Sequence, residues 1–498
     1  MTSDRPAGQD GDDSAAPFEK MLRDLFGPDA DEALRELRER GFDPAAMAQA
    51  SGLPNDPAAL QQVMAQVQRL LASSGQGPVN WDVAHDIARQ QAVTGGDPSL
   101  SPAAVREVVD ALSVAELWLD AATDLPPSPG PARAWSRSEW VEATLPTWRT
   151  LTEPVASSLS TALSNALAGS LPEGLGADGA GLAGLLGDGA PGADVAGTGP
   201  LGGLAGLDPV QLLRQLGSAV FGMQVGAAAG TLSREVFGTT DIGLPLLDRP
   251  APALVPANVA EFAAGLDAPL EEVRLFLALR EAAATRLFTH VPWLRGHLLA
   301  TVDAYARGIS IDVEQLEEAV SSIDPTDAAA LQSALSGGVF APHTTPEQRA
   351  ALERLETALA LVEGWVDEVT AAAALPHLPH AVPLREMIRR RRAAGGPAEQ
   401  AFAQLVGLEL RPRRLRDAAA LWARIAQDAG PAARDAVWDH PDLLPTTEDL
   451  DDPAGYAGRR AVAREEHADV DKALAEIFGE DPSGEAGGTG TDEPRPEA

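Results

Sequence analysis

The chain has 498 residues, 45% of them hydrophobic, enough to bury a sizeable core. Its 38 basic residues face 73 acidic ones, and the resulting net charge of −35 argues against nucleic acid and anionic lipid as general partners. There is no cysteine, which removes disulfides, Cys-ligated zinc and thiol nucleophiles together.

The first ten residues contain no basic stretch followed by an apolar one, so a cytoplasmic location is expected. Residues 1–15 are polar and acidic and are expected to be disordered. Residues 16–76 read as an N-terminal helical appendage. There Phe18, Met21, Leu22 and Leu25 follow helical spacing, and Gly41-Phe42-Asp43-Pro44 and Leu53-Pro54-Asn55-Asp56-Pro57 supply turns. Residues 77–168, opening at Pro78-Val79-Asn80-Trp81, form a first helical part of the core. Five of the nine tryptophans fall here (Trp81, Trp118, Trp135, Trp140, Trp148), and packing is their expected role. Residues 169–206 are a Gly/Ala-rich linker. Its Gly197-Thr198-Gly199-Pro200-Leu201-Gly202 has the form G-x-G-x-x-G but lacks a convincing strand before it and helix after it, so no dinucleotide site is read there.

Residues 207–458 form a second helical part. Its uncharged run from Gln215 to Ser233 is too rich in Gly and Ala for a good bilayer segment. Ser218, Gly222, Gly226 and Gly230 recur every four positions, so a buried helix approached closely by another is expected. Gly308 is placed to stop one helix, and Asp312 to Gln315 to start another. Thr345-Pro346-Glu347-Gln348 is a capping box with proline at the first helical position. Behind it Leu352, Leu355, Leu359, Val362, Val366 and Val369 predict a one-sided amphipathic helix. No segment alternates like a strand, so the fold class is mainly α. Residues 459–498 read as an acidic tail with one short helix (Val470, Leu474, Ile477, Phe478), suited to docking on the body or on a partner.

The central segment runs from Asp267 to Arg295. Pro269, Glu271 and Glu272 suit a first helical turn. Val273, Phe276, Leu277, Arg280, Ala284, Leu287 and Phe288 then share one stripe. A charge in that row, Arg280, calls for a partner, because burying it alone is costly.

At this point the sequence resembles the zincin-like metallopeptidase family of GC-rich bacteria, a family of zinc-dependent hydrolases. The resemblance is carried by Leu254-Val255-Pro256-Ala257-Asn258, Leu270-Glu271-Glu272-Val273-Arg274 and Leu279-Arg280-Glu281-Ala282-Ala283-Ala284. It continues through His290-Val291-Pro292-Trp293-Leu294-Arg295, Leu361-Val362-Glu363-Gly364-Trp365-Val366-Asp367 and Gly407-Leu408-Glu409-Leu410-Arg411-Pro412-Arg413. It implies a multi-helix zincin-like domain over roughly 78–453. In active zincins an H-E-x-x-H helix puts two imidazoles on one face to hold zinc, and the glutamate polarises a bound water.

Here the matching residues are Arg280-Glu281-Ala282-Ala283-Ala284. Glu281 keeps the place of the general base, while Arg280 and Ala284 stand where ligands are expected. Arginine has no lone pair to give and repels a cation, and alanine offers nothing. The resemblance also implies that Glu363 stands at the downstream acidic ligand. The expectation is therefore a degenerate site that binds no zinc and no other cofactor, in which Arg280 pairs with Glu363, in a geometry open to bidentate contact. Such a chain would be a binding or scaffold protein for an unknown protein or peptide partner. The alternative is an active metal-dependent hydrolase using Glu281 with ligands outside the motif, such as His290 or His297.

Other chemistry has less support. Pro292 interrupts any helix that would align His290 with His297, and His377 and His380 lack a third ligand nearby. His85, His343, His440 and His467 are scattered. There is no G-x-S-x-G elbow, and the two lysines, Lys20 and Lys472, lie outside any P-loop. The arginine run Arg389 to Arg392, with Arg385, Arg411, Arg413, Arg414 and Arg416 nearby, reads as neutralising the protein's own acids, or as an anion or acidic-partner site.

Overall fold

A computed structural model of the chain describes residues 77–170, 209–307, 345–395, 403 and 414–478. The appendage, nearly all of the Gly/Ala-rich linker, the Asp312 start, the Gly407–Arg413 block and the tail beyond Phe478 lie outside these residues. The described chain is mainly α. Among the described residues the strands are a two-residue parallel pair, β1 (Arg133–Ala134) with β2 (Ala253–Leu254), which an isolated bridge from Gly238 to Leu254 extends.

Helix α1 (Trp81–Val93) starts where Asn80 accepts a hydrogen bond from the Val83 amide, and α2 (Pro102–Leu119) starts the same way at Ser101. A long helix α3 (Arg137–Ser170) follows. Helix α4 (Pro209–Ser233) contains the row of small residues, and its partner is α1. Gly222 lies against the Asn80 carbonyl, Gly226 against Ala84, and Gly230 against Ala88 and Gln91, each too close for a Cβ to be added. The Asn80 amide, at the start of α1, donates to the Ser218 carbonyl within α4 at 2.9 Å, a close approach that the small residues permit. No helix among the described residues is long and apolar enough to cross a membrane.

The Leu-Val-Pro-Ala-Asn block forms β2 and the start of α5 (Pro256–Ala263). Its Asn258 amide donates to the carbonyls of Ser233 and Val236 at the end of α4, and its oxygen accepts from Arg137 Nε. Helix α6 (Leu270–His290) is the centre of the body, buried without interruption from Phe276 to Phe288. That stretch includes three charged residues, Arg280, Glu281 and Arg286. The Arg286 guanidinium is satisfied by Glu116, Asp120 and the carbonyls of Glu116 and Leu125. As its proline predicts, α7 (Pro292–Arg307) is a separate helix.

Helix α8 (Pro346–Ala374) opens on the capping box, with both reciprocal bonds present at 3.1 Å. It is one-sided only at its start. From Ala358 to Asp367 every residue is buried, so the one-sided reading fails in the middle. The reason is Gly364, whose missing Cβ lets α10 (Leu415–Asp435) lie directly on α8 at Ala418 and Ala419. Helix α9 (Ala381–Ala394) precedes α10; after α10 come the short α11 (Thr447–Asp451) and α12 (Tyr456–Phe478). Asp435, buried at the end of α10, accepts from Trp365 Nε1, Thr123 Oγ1, the Asp124 amide and Arg434, tying three elements together.

Candidate functional site

Arg280 and Glu281 project from consecutive positions of α6 into two different environments. Arg280 Nη2 donates to Glu363 Oε2 at 2.9 Å. The contact is a single hydrogen bond rather than a bidentate one. Glu363 Oε1 is taken by Arg392 Nη2 from α9, at 3.1 Å. All three residues are buried, at 8%, 3% and 5% exposure for Arg280, Glu363 and Arg392. One carboxylate therefore holds two guanidiniums and joins α6, α8 and α9.

Glu281 faces the segment that leaves α4. Its Oε1 accepts from the Thr239 amide at 2.9 Å, Thr239 Oγ1 at 2.5 Å and the Ala253 amide at 3.3 Å; its Oε2 accepts from the Thr240 amide at 3.2 Å and Thr240 Oγ1 at 2.6 Å. Five donors meet about four lone-pair positions. Gly238 lies so near that a Cβ would overlap the carboxylate. Burial pushes the Glu281 carboxyl above the ordinary range, while the threonine hydroxyls and the amides of Thr239 and Ala253 pull it down. A general base must present a lone pair to the water it deprotonates. With both oxygens engaged in this way, the geometry is that of an anchor for the Phe237–Gly243 segment.

Between α6, α8 and that segment lies a cavity of about 20 Å³, room for a water or a very small ligand. Arg280, Glu281, Ala284, Glu363, Thr240 and Gly243 line it. Its walls thus contain all four positions singled out in the sequence. Zinc requires several lone-pair donors converging on one point. Arg280 offers only N–H groups and a positive charge, Ala284 a methyl, and both Glu363 oxygens already hold guanidiniums. These side chains do not fit a zinc ion. Among the described residues no group of three or more His, Asp or Glu is arranged to hold a metal.

The histidines considered as alternatives lie apart from the cavity lining. His290 Nε2 is 3.4 Å from the Pro127 carbonyl, and His297 sits edge-on to Trp293, its pKa lowered by burial and by Arg354. His377 stacks on Trp118, and His380 Nδ1 is 3.0 Å from Glu272. The arginine run turns inward or pairs locally. Arg385 and Arg389 both bind Asp367, Arg390 and Arg416 share Glu386, Arg391 lies 4.0 Å over the Phe237 ring, and Arg392 reaches Glu363.

Three participants escaped the sequence reading in these roles. Arg392 had a signal: Glu363 and Asp367 are one turn apart on α8, and Arg385, Arg389 and Arg392 repeat at helical spacing on α9. Thr239 and Thr240 had none, since their role depends on where β2 brings them.

A model of the zincin-like metallopeptidase family matches residues 79–457. No curated protein matches the sequence. Among solved structures, the chain is similar to a candidate hydrolase with a novel fold from Chloroflexus aurantiacus. The two share 18% identity with a TM-score of 0.51, over 77% of this chain and 99% of that one. At that identity the likeness is one of fold.

Proposed function

The chain belongs to the zincin-like metallopeptidase family, and we propose that it is a member without a catalytic metal, acting as a binding or scaffold protein for a protein or peptide partner. The observation that carries the reading is the pairing of Glu363 with Arg280 and Arg392. The carboxylate that the resemblance assigns to the metal is committed to two cations, and one of those cations occupies a ligand position itself. Glu281 adds to this, because its oxygens are spent on Thr239, Thr240 and Ala253. The fold is kept by charge pairing where an active relative would use a metal. The net charge of −35 supports a protein that avoids nucleic acid and anionic membrane.

An active hydrolase using Glu281 with His290 or His297 is less well supported, since neither imidazole lines the cavity. The test is the zinc content of the full chain, purified without chelator and without a metal-affinity tag. The proposal expects a trace. Near-stoichiometric zinc that disappears on Glu363→Ala or His290→Ala would overturn it.

A further inference from the structure

Arg280 carries five N–H donors, and among the described residues only Glu363 accepts from it. Yet its side chain is 9% exposed and forms part of the cavity wall. No Arg280 nitrogen is among the fully buried, unpartnered atoms of the described residues, so its remaining N–H groups face the cavity, where an acceptor can reach them. Its partner Glu363 is shared with Arg392.

The other acids nearby are engaged elsewhere. Asp241 Oδ2 accepts from the Phe237 amide and lies 3.9 Å from Arg391, and Glu281 is covered by its five donors. Ala284, one turn beyond Arg280, leaves the space beside the guanidinium open. Gly243 does the same on the far side, where a Cβ would stand 3.2 Å from Glu363 Oε1.

We propose that this cavity is a receptor for one carboxylate group, held by the free edge of the Arg280 guanidinium. A planar fork of N–H donors matches a carboxylate in shape and charge. At about 20 Å³ the cavity admits little more than that group. The carboxylate comes either from a small free acid or from the terminus of a peptide chain, the rest of which stays outside. The proposal rests on Arg280, and not a metal, supplying the positive charge. Zinc content and carboxylate binding are separate measurements, so each can fail alone.

The experiment follows thermal unfolding and calorimetric binding of the full chain at fixed ionic strength. Sodium formate is compared with formamide, its neutral analogue of similar shape. A short alanine peptide with a free C-terminus is compared with the same peptide as its amide. The expected result is saturable binding of an acid and none of its neutral partner. Formate alone identifies a small acid as the source, and the free peptide identifies a chain terminus. Arg280→Lys keeps the charge but not the fork and should weaken binding about tenfold; Ala284→Val should fill the cavity and abolish it. Wild-type protein that does not distinguish either acid from its neutral partner would overturn the proposal, whatever the variants do.

Discussion

Arg280 and Glu363, 83 residues apart in sequence, meet at 2.9 Å with both side chains withdrawn from solvent. The bond places a positive charge where the resemblance expects a metal ligand, and it draws α6 and α8 together. A second guanidinium, that of Arg392, sits on the same carboxylate.

Removing that carboxylate should be costly. Glu363→Gln leaves Arg280 and Arg392 buried beside each other with no anion between them. The expected loss is about 3–5 kcal/mol in urea unfolding. A double-mutant cycle with Arg280→Met should show a coupling of at least about 1 kcal/mol between the two residues.

Restoring imidazoles should restore metal affinity. Arg280→His together with Ala284→His puts two donors on one helical face and frees one oxygen of Glu363. Zinc measured by elemental analysis should rise from a trace toward one ion per chain, and added zinc should raise the melting temperature of this variant but not of the wild type.

Glu281 should show its role through pH. Its carboxyl is raised by burial above the unfolded value of about 4.5, so the folded chain binds that proton more tightly than the unfolded chain does. The contribution of the group to stability is therefore full below about pH 4.5 and declines as pH rises toward the folded value. Glu281→Gln removes the titration and sets an NH2 group against the donors of Thr239 and Thr240. The variant should be less stable by about 1–3 kcal/mol. The gap from wild type in urea unfolding should be largest at the acid end.

The glycines of α4 should behave in opposite ways. Gly226 lies against Ala84, so Gly226→Val should cost about 3 kcal/mol or more by forcing α1 away. Gly217, on the same helix, has nothing within 4 Å of an added Cβ. Gly217→Ala should raise stability by about 0.5–1 kcal/mol, read from the same denaturation experiment.

What the sequence made legible was local or repetitive. The Thr345–Gln348 cap could be read because four neighbouring residues make it, and the mainly α class because helical periods recur. The row Ser218, Gly222, Gly226, Gly230 announced a close helix but not which one, because α1 lies far upstream. Arg280 in an apolar row demanded a partner, and the family resemblance put Glu363 forward; Arg392 was legible only by matching the arginine spacing of α9 to the acid spacing of α8. The clasp of Thr239 and Thr240 on Glu281 was invisible, since it depends on the bridge of Gly238 to Leu254 in β2. The all-round burial of α8 was missed for a similar reason. Gly364 looks like a weak spot in a helix until α10 is laid against it.

The joint at Glu363 also has a consequence for how the chain is made. Arg280 leaves the ribosome 83 residues before its carboxylate, and Arg392 follows 29 residues later. At about 5–20 residues per second, α6 spends several seconds carrying a guanidinium that has no anion to meet. Until then its middle turn has reason to stay near water. The helix at the centre of the finished body thus has its charge answered by a part of the chain that arrives after it.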